Sequence, residues 1–473
     1  MKAQSHRFKA NSQQALRDAD LQAALGRAKS GFVDKRAKAI DALPEFEALR
    51  ERGRQVRAHS LAYLDVYLER FSAQVEHSGG RVHWASDADE ARRHIVDICQ
   101  RQQARLVIKS KTMVGEEIAI NEALEEAAIE VVETDLGEYI IQLAKEPPSH
   151  IIAPAVHKTR DQISSLFDRV HHQRQGQPTR AVPDLVDEAR QVLRKKFRRA
   201  DVGITGANFL IAEEGSALIV TNEGNADLCM SLPRVHIVLT SIDKLVPTLE
   251  DASTLVRLLG RSATGQPMTT YTTLVTGARR ANDTAGPEEF HVVLLDNGRS
   301  QMLDGPFREM LHCIRCGACL NHCPVYSAIG GHAYGWVYPG PMGSVLTPHF
   351  IGLDKSKDLP HACTLNGRCE AVCPVKIPLP KLLRRLRAAS FEQGLTQPVE
   401  RSAVGLWGKL AQRPVAYRAA TAGAHRILRV IQRLDWQRPP FLGAWTAHRS
   451  LPHASRETFV STWHRQREKT HER

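Results

Sequence analysis

Short apolar runs rich in β-branched residues punctuate the middle of the chain. They are Arg105–Lys109 (RLVIK), Ile129–Glu133 (IEVVE), His150–Val156 (HIIAPAV), Ala217–Thr221 (ALIVT), Val235–Thr240 (VHIVLT) and His291–Leu295 (HVVLL). Each has the length and composition of a buried strand. Helix-like segments lie between several of them, such as Gly115–Ala128 and Leu185–Arg199. Buried strands alternating with helices predict an α/β domain over 71–300 with a largely parallel sheet. Ahead of it, residues 1–70 are rich in Ala, Leu, Arg, Gln and Glu and predict a helical arm without chemistry. Within that arm Ala15–Leu43 has helical character, with a break expected at Gly31 and a stop at Pro44. His171–Pro183, rich in Gln, Pro and Arg, reads as a surface loop. After the α/β domain, Leu379, Leu382, Leu383 and Leu386 recur at helical spacing with Lys381, Arg384, Arg385 and Arg387 between them. That pattern predicts a helix packed by its apolar stripe, with a solvated basic face.

Composition adds limits. The chain has 473 residues, 42% hydrophobic and 25% charged, which excludes wholesale disorder and a small disulfide scaffold. It has no run of about 18 apolar residues, so no transmembrane helix is expected. The N-terminus lacks the apolar stretch of a secretory signal, so the expected location is cytoplasmic. The formal net charge of +12 raises nucleic acid as a partner, but its distribution argues against that. Residues 381–473 hold 18 Lys plus Arg against 6 Asp plus Glu, whereas residues 1–380 hold 46 of each. All the excess therefore lies in a C-terminal region, 388–473 with the few residues before it. That region also carries Trp407, Trp436, Trp445 and Trp463. It suggests a docking segment for a partner subunit, or peripheral contact with an anionic membrane surface, rather than nucleic-acid binding.

The cysteines change the picture most. Cys99 and Cys229 stand alone in apolar surroundings and read as small buried hydrophobes. The other seven fall within 301–387, in two runs. The first, Cys313-Ile-Arg-Cys316-Gly-Ala-Cys319-Leu-Asn-His-Cys323-Pro324, is the C-x2-C-x2-C-x3-C-P spacing of ferredoxin-type [4Fe–4S] sites. Three thiolates two residues apart wrap a loop around one face of a cubane. The Pro then redirects the chain, so the fourth Cys points to the other cluster. The second run has Cys363, Cys369 and Cys373-Pro374 at the first, third and fourth positions, with Asn366 at the second. Crossed ligation gives Cys313, Cys316, Cys319 and Cys373 to cluster one, and Cys323, Cys363 and Cys369 to cluster two. The three-thiolate site could hold a [3Fe–4S] cluster, or a [4Fe–4S] cluster with one non-cysteine ligand. Seven cysteines in two such runs do not divide into closed four-ligand zinc sites. The flanking His312, His322 and His361 are expected to tune the surroundings rather than bind iron. The 39 residues between Cys323 and Cys363 include a Gly, Pro and aromatic stretch, Gly330–Met342, read as a loop-rich insertion.

In the α/β region, Gly203–Asn225 is dense in Gly, Thr, Asn and Glu around an apolar strand, and Glu214, Asn222 and Glu223 are candidate ligand contacts. Ser110-Lys111 and Asp135 follow apolar strands, and the C-terminal ends of parallel strands are where ligands usually sit. No Walker A sequence, dinucleotide fingerprint or G-x-S-x-G elbow is present.

The segments Val107–Thr112 (VIKSKT), Glu133–Tyr139 (ETDLGEY), Ser149–His157 (SHIIAPAVH), Gly203–Asn225 and Val292–Ser300 (VVLLDNGRS), with both cysteine runs, resemble the lactate utilisation protein B family (LutB, LldF/YkgF type). The resemblance runs from about residue 20 to beyond 440. It implies a LUD α/β domain, similar to the NagB/RpiA/CoA-transferase class, followed by an α-helical ferredoxin-like two-cluster domain. It further implies an electron carrier in a complex oxidising L-lactate to pyruvate, with a CCG-type cysteine-rich subunit and a smaller LUD-domain subunit as partners. By position, the ligands it implies are the seven cysteines above, with Asn366 departing from a four-Cys second motif. An alternative reading makes the α/β domain a binding or enzyme site for a small carboxylate or thioester.

Overall fold

The structure, a computed structural model, describes residues 3–171, 181–434, 446 and 449–471. The chain forms two compact units, Met1–Ser390 and Phe391–Arg473.

The first unit is organised by a six-stranded sheet made of β1 (Arg81–Ala85), β2 (Leu106–Lys109), β3 (Glu130–Glu133), β4 (Val202–Thr205), β7 (Val235–Ser241) and β10 (Glu289–Leu295). Every pairing in it is parallel, in the order β1-β10-β7-β4-β2-β3. The continuous apolar runs have a physical cause: helices cover both faces, so the interior strands are buried on both sides. In β2, Leu106 and Ile108 pack with Tyr139, Phe167 and Leu193 on one side. Val107, one residue out of phase, packs with Ile95, Ile98 and Ile237 on the other. β7, at the centre, is buried along its whole length, while β1, at the edge, leaves Trp84 exposed.

A second, smaller sheet of β5 (Phe209–Ile211), β6 (Ser216–Thr221), β8 (Leu245–Val246) and β9 (Tyr271–Val275) runs in the order β8-β5-β6-β9. It is mixed, with β5 and β8 parallel and the other pairs antiparallel.

Several sequence expectations need correction. His150–Val156 is not a strand. Pro147 and Pro148 precede it and Pro154 lies within it, and the His150 ring nitrogen Nδ1 accepts from the N–H groups of Ile152 and Ala153 at 3.1 Å, taking donors a ladder would use. Gly31 does not break its helix, which runs unbroken over Ala19–Asp41. Gly115–Ala128 is two helices, Met113–Glu117 and Ile120–Glu126, separated where Ala119 takes φ +55°. Residues 172–180 of the expected loop lie outside the described residues.

The N-terminal helices are not inert cover. Arg57, 1% exposed, donates to the carbonyls of Asp243, Leu245, Leu311 and His312, tying the second sheet to the segment that enters the first cysteine run. Arg36 donates to Val372 O (2.7 Å), and Arg50 to Ala371 O and Cys373 O (3.0 and 2.7 Å).

Residues 301–387 contain helices and no strand among the described residues. The stretch expected as a loop-rich insertion is instead buried almost throughout, from Ala333 to Pro348, and contains the helix Gly340–Ile351. The helix Leu379–Glu392 buries Leu379, Leu382, Leu383 and Leu386 as the spacing predicts.

The second unit contains the helices Pro398–Ala411, Pro414–Arg433 and Phe459–His471. The first two bury no residue; Val415, Ile427 and Trp407 are exposed. Trp436 and Trp445 lie outside the described residues. No helix among the described residues is long and apolar enough to cross a membrane.

Candidate metal centre

The two cysteine runs share one backbone, offset by fifty residues. Arg315 and Leu365 both take left-handed φ (+57° and +56°), as do Gly317 and Gly367 (+72° and +79°). Each pair is followed by a single helical turn, Ala318–Asn321 and Arg368–Ala371. Left-handed residues within such loops turn backbone N–H groups inward, the concavity that suits sulfide and thiolate. Accordingly Arg315 N–H points at Cys313 Sγ (3.4 Å) and Leu365 N–H at Cys363 Sγ (3.2 Å). At the far ends Tyr326 N–H approaches Cys323 Sγ (3.5 Å) and Ile377 N–H approaches Cys373 Sγ (3.4 Å). Gly317 is favoured there chiefly by its left-handed φ; a Cβ would also press on the tip of Ile152, 2.8 Å from its Cδ1.

Cys313, Cys316, Cys319 and Cys373 line one small buried cavity with Met310, Ile314, Met342 and Val375. Cys323, Cys363 and Cys369 act electrostatically on one another. Burial, reinforced by neighbouring thiols, pushes Cys316 and Cys369 up to about 12, and burial pushes Cys373 up to about 11. Such a group of thiols is stable as thiolates only with a cation among them. The donor set thus fits an iron–sulfur cluster, with N–H groups already directed at the sulfurs.

Asn366 occupies the place of Cys316. Its Oδ1 accepts from Arg368 N–H at 3.0 Å, and Thr364, Leu365 and Asn366 are all exposed. The first loop is sealed; the corner of the second that lacks a thiol faces solvent. Of the flanking histidines, His322 Nδ1–H donates to Ala318 O (2.9 Å), and burial drives His312 down to about 3. Cys99 and Cys229, as expected, are buried outside both runs.

A buried charge network joins the α/β domain to the segment between the runs. Arg299 binds Glu117 (2.7 and 3.0 Å) and Asp243 (2.9 Å) and stacks over Phe350, while Tyr338 OH donates to Glu117 (2.6 Å). Arg315, from the first cysteine loop, lies 4.0 Å from Asp243 and stacks over Tyr338.

The α/β candidates gather at a second place. Ser110, Lys111, Asp135, Asn222 and Glu223 all line one cavity of about 370 Å3 beyond the C-terminal ends of β2, β3, β4 and β7. Glu214 is not among them; its carboxylate accepts from Ser216 Oγ (3.0 Å). Sequence reasoning missed Lys244, Thr240 and Arg315, which line the same cavity. Lys244 follows β7 as Lys111 follows β2, so the strand-end rule could have found it.

A sheet of this kind beside two ferredoxin-like loops defines an iron–sulfur protein built on a LUD domain. Residues 68–295 match the LUD domain, 309–377 the 4Fe-4S dicluster domain and 389–469 the lactate utilisation protein B C-terminal family. The chain is 43% identical to the "Uncharacterized electron transport protein YkgF" of Escherichia coli K12, over 96% of this chain and 95% of that protein. It is equally 43% identical to lactate utilization protein B of Lysinibacillus sphaericus (99% and 98% covered) and of Oceanobacillus iheyensis (93% and 92%). The chain belongs to the lactate utilization protein B family.

Proposed function

We propose that this chain is the electron-carrying subunit of a cytoplasmic complex that oxidises L-lactate to pyruvate. The observation that carries the reading is the fifty-residue repeat of a cysteine loop whose last thiol, Cys373, lies in the cavity of the other loop. The names of the relatives supply the electron-transport and lactate context. Bound clusters would supply one-electron oxidation and reduction over a wide range of potentials. Cys313, Cys316, Cys319 and Cys373 would hold one [4Fe–4S] cluster. Cys323, Cys363 and Cys369 would hold the second, as [3Fe–4S] or as [4Fe–4S] with a non-cysteine fourth ligand. Around the first set, Ile314, Met342 and Val375 exclude water, and the N–H groups of Arg315 and Ile377 stabilise sulfur charge. Around the second, exposed Thr364–Asn366 gives a partner protein close access. The partners in this reading are a CCG-type cysteine-rich subunit and a smaller LUD-domain subunit. The basic, apolar-faced helices of 391–433 supply a contact to a subunit or to an anionic membrane surface.

The test is anaerobic co-purification from lactate-grown cells, with electron paramagnetic resonance (EPR) of the complex before and after L-lactate. New reduced-cluster signals after lactate are expected. Clusters that dithionite reduces and lactate does not would overturn the reading.

A further inference from the structure

The 370 Å3 cavity at the strand ends is unused by the electron-carrier reading. Its size falls in the range of small-molecule sites, and its position beyond the carboxyl ends of parallel strands is where such sheets take ligands. Three polar atoms of its lining residues are buried without a hydrogen-bond partner: Lys111 Nζ, Thr240 Oγ1 and Arg315 Nη1. Thr240 is 1% exposed and the Arg315 side chain 10%. Lys244, 7% exposed, also lines the cavity; burial and the neighbouring Arg315 push its ammonium down to about 7, a charge that a bound anion would favour. Buried polar groups are rarely left unpaired, so an orphaned set of two cationic donors and a hydroxyl is one that a ligand completes.

The acidic groups nearby are already committed. Asp135 Oδ1 caps the helix Leu136–Ala144 by accepting from Gly137 and Glu138 N–H, and Glu223 accepts from Leu136 N–H (3.1 Å). Glu138 lies 3.7 Å from Lys111 Nζ, beyond hydrogen-bond reach, and burial raises it to about 8 against the pull of Lys111. Ile151, Ile152 and Leu259 give the cavity an apolar side, and Asn208, Asn225 and Thr264 are among its further polar lining.

We propose that this cavity binds a small organic carboxylate, its anionic end on Lys111, Lys244 and Arg315 and its carbon body against the apolar wall. Arg315 lies between Cys313 and Cys316, so the bound anion sits beside the first cysteine loop. The site deepens the lactate reading by giving the chain its own substrate-class contact. It rests on that reading only for the choice of probes.

The test is calorimetric titration of the full-length, cluster-loaded chain with pyruvate, L-lactate, neutral lactamide and inorganic phosphate. Wild type is expected to bind one of the two carboxylates and not lactamide. Lys111→Gln and Lys244→Gln should each weaken that binding by about tenfold or more. Thr240→Val, a milder change, should weaken it less. Absence of carboxylate binding at millimolar concentration, or binding unchanged in both lysine variants, overturns the site. Phosphate binding as tight as carboxylate overturns the ligand class. Iron content and the dithionite-reduced EPR signal are read on the same samples, so loss of the carboxylate site is separable from loss of the iron–sulfur reading.

Discussion

Replacing Arg299 with methionine strips the guanidinium that binds both Glu117 and Asp243. The three side chains are sealed from solvent, with Arg299 and Glu117 at 0% and Asp243 at 1% exposure. Burial alone would push both carboxyls up; Arg299, first among the cations and donors around them, outweighs it and they lie below the ordinary carboxylate range. Methionine refills most of the volume, so the cost is electrostatic. Glu117 would keep only Tyr338 OH and Asn297 Nδ2 as donors, and Asp243 would keep Ser241 Oγ with Arg315 at 4.0 Å. Removing one partner of a buried pair costs about 3–5 kcal/mol. A loss of that size is expected in urea unfolding followed by circular dichroism and tryptophan emission. Trp336, buried with its ring 5.7 Å from Tyr338 and 5.9 Å from Phe350, should report it locally. Adding Glu117→Gln removes one stranded charge and should recover part of the loss. A change under about 1 kcal/mol, the scale of an exposed ion pair, would refute the reasoning.

Asn366→Cys gives the second loop its missing thiolate at a cost of about 1 kcal/mol, the hydrogen bond to Arg368 N–H. Iron content or the EPR signature of the second site should change, and identical values would contradict an open corner there. Acid should destabilise the fold above the pH at which ordinary exposed carboxylates titrate, through its buried histidines. Burial lowers His236 to about 3 and His83 to about 4, while both take a proton near pH 6.5 when unfolded. As pH falls from about 6.5 toward 4 the unfolded chain therefore binds more protons, and stability should drop by up to about 1.4 kcal/mol per pH unit for His236 alone. A midpoint flat across that window in thermal melts would count against it. A chain ending at Ser390 should keep its iron and lose association with partner subunits or anionic vesicles in sedimentation; undiminished association would remove the docking role from 391–473.

Much of this was legible in sequence, for physical reasons. Strands buried on both faces are written as unbroken apolar runs, so β2, β3, β7 and β10 were visible. Half-exposed β1 and β9, and three-residue β5, carry no such signature. His150–Val156 imitates a strand because Ile151 and Ile152 pack in the cluster that contains the cysteine loops, yet an imidazole, not a ladder, takes the N–H groups of Ile152 and Ala153. The cysteine spacing announced the chemistry because ligand geometry is local. Arg36, Arg50 and Arg57 were silent because their carbonyl partners lie hundreds of residues away. The cavity was half legible: Lys111 and Asp135 follow strands that are plain in sequence, whereas Arg315 reaches it from a loop whose cysteines drew all the notice.

The most direct test of the crossed two-site account is iron and sulfide analysis with EPR on anaerobically prepared full-length protein, comparing wild type with Cys313→Ser, Cys323→Ser, Cys363→Ser and Cys373→Ser. The account predicts two distinguishable signals. Cys373→Ser should disturb the one that Cys313→Ser disturbs, and Cys323→Ser the one that Cys363→Ser disturbs. A single signal, or Cys373→Ser altering the same signal as Cys363→Ser, would contradict it.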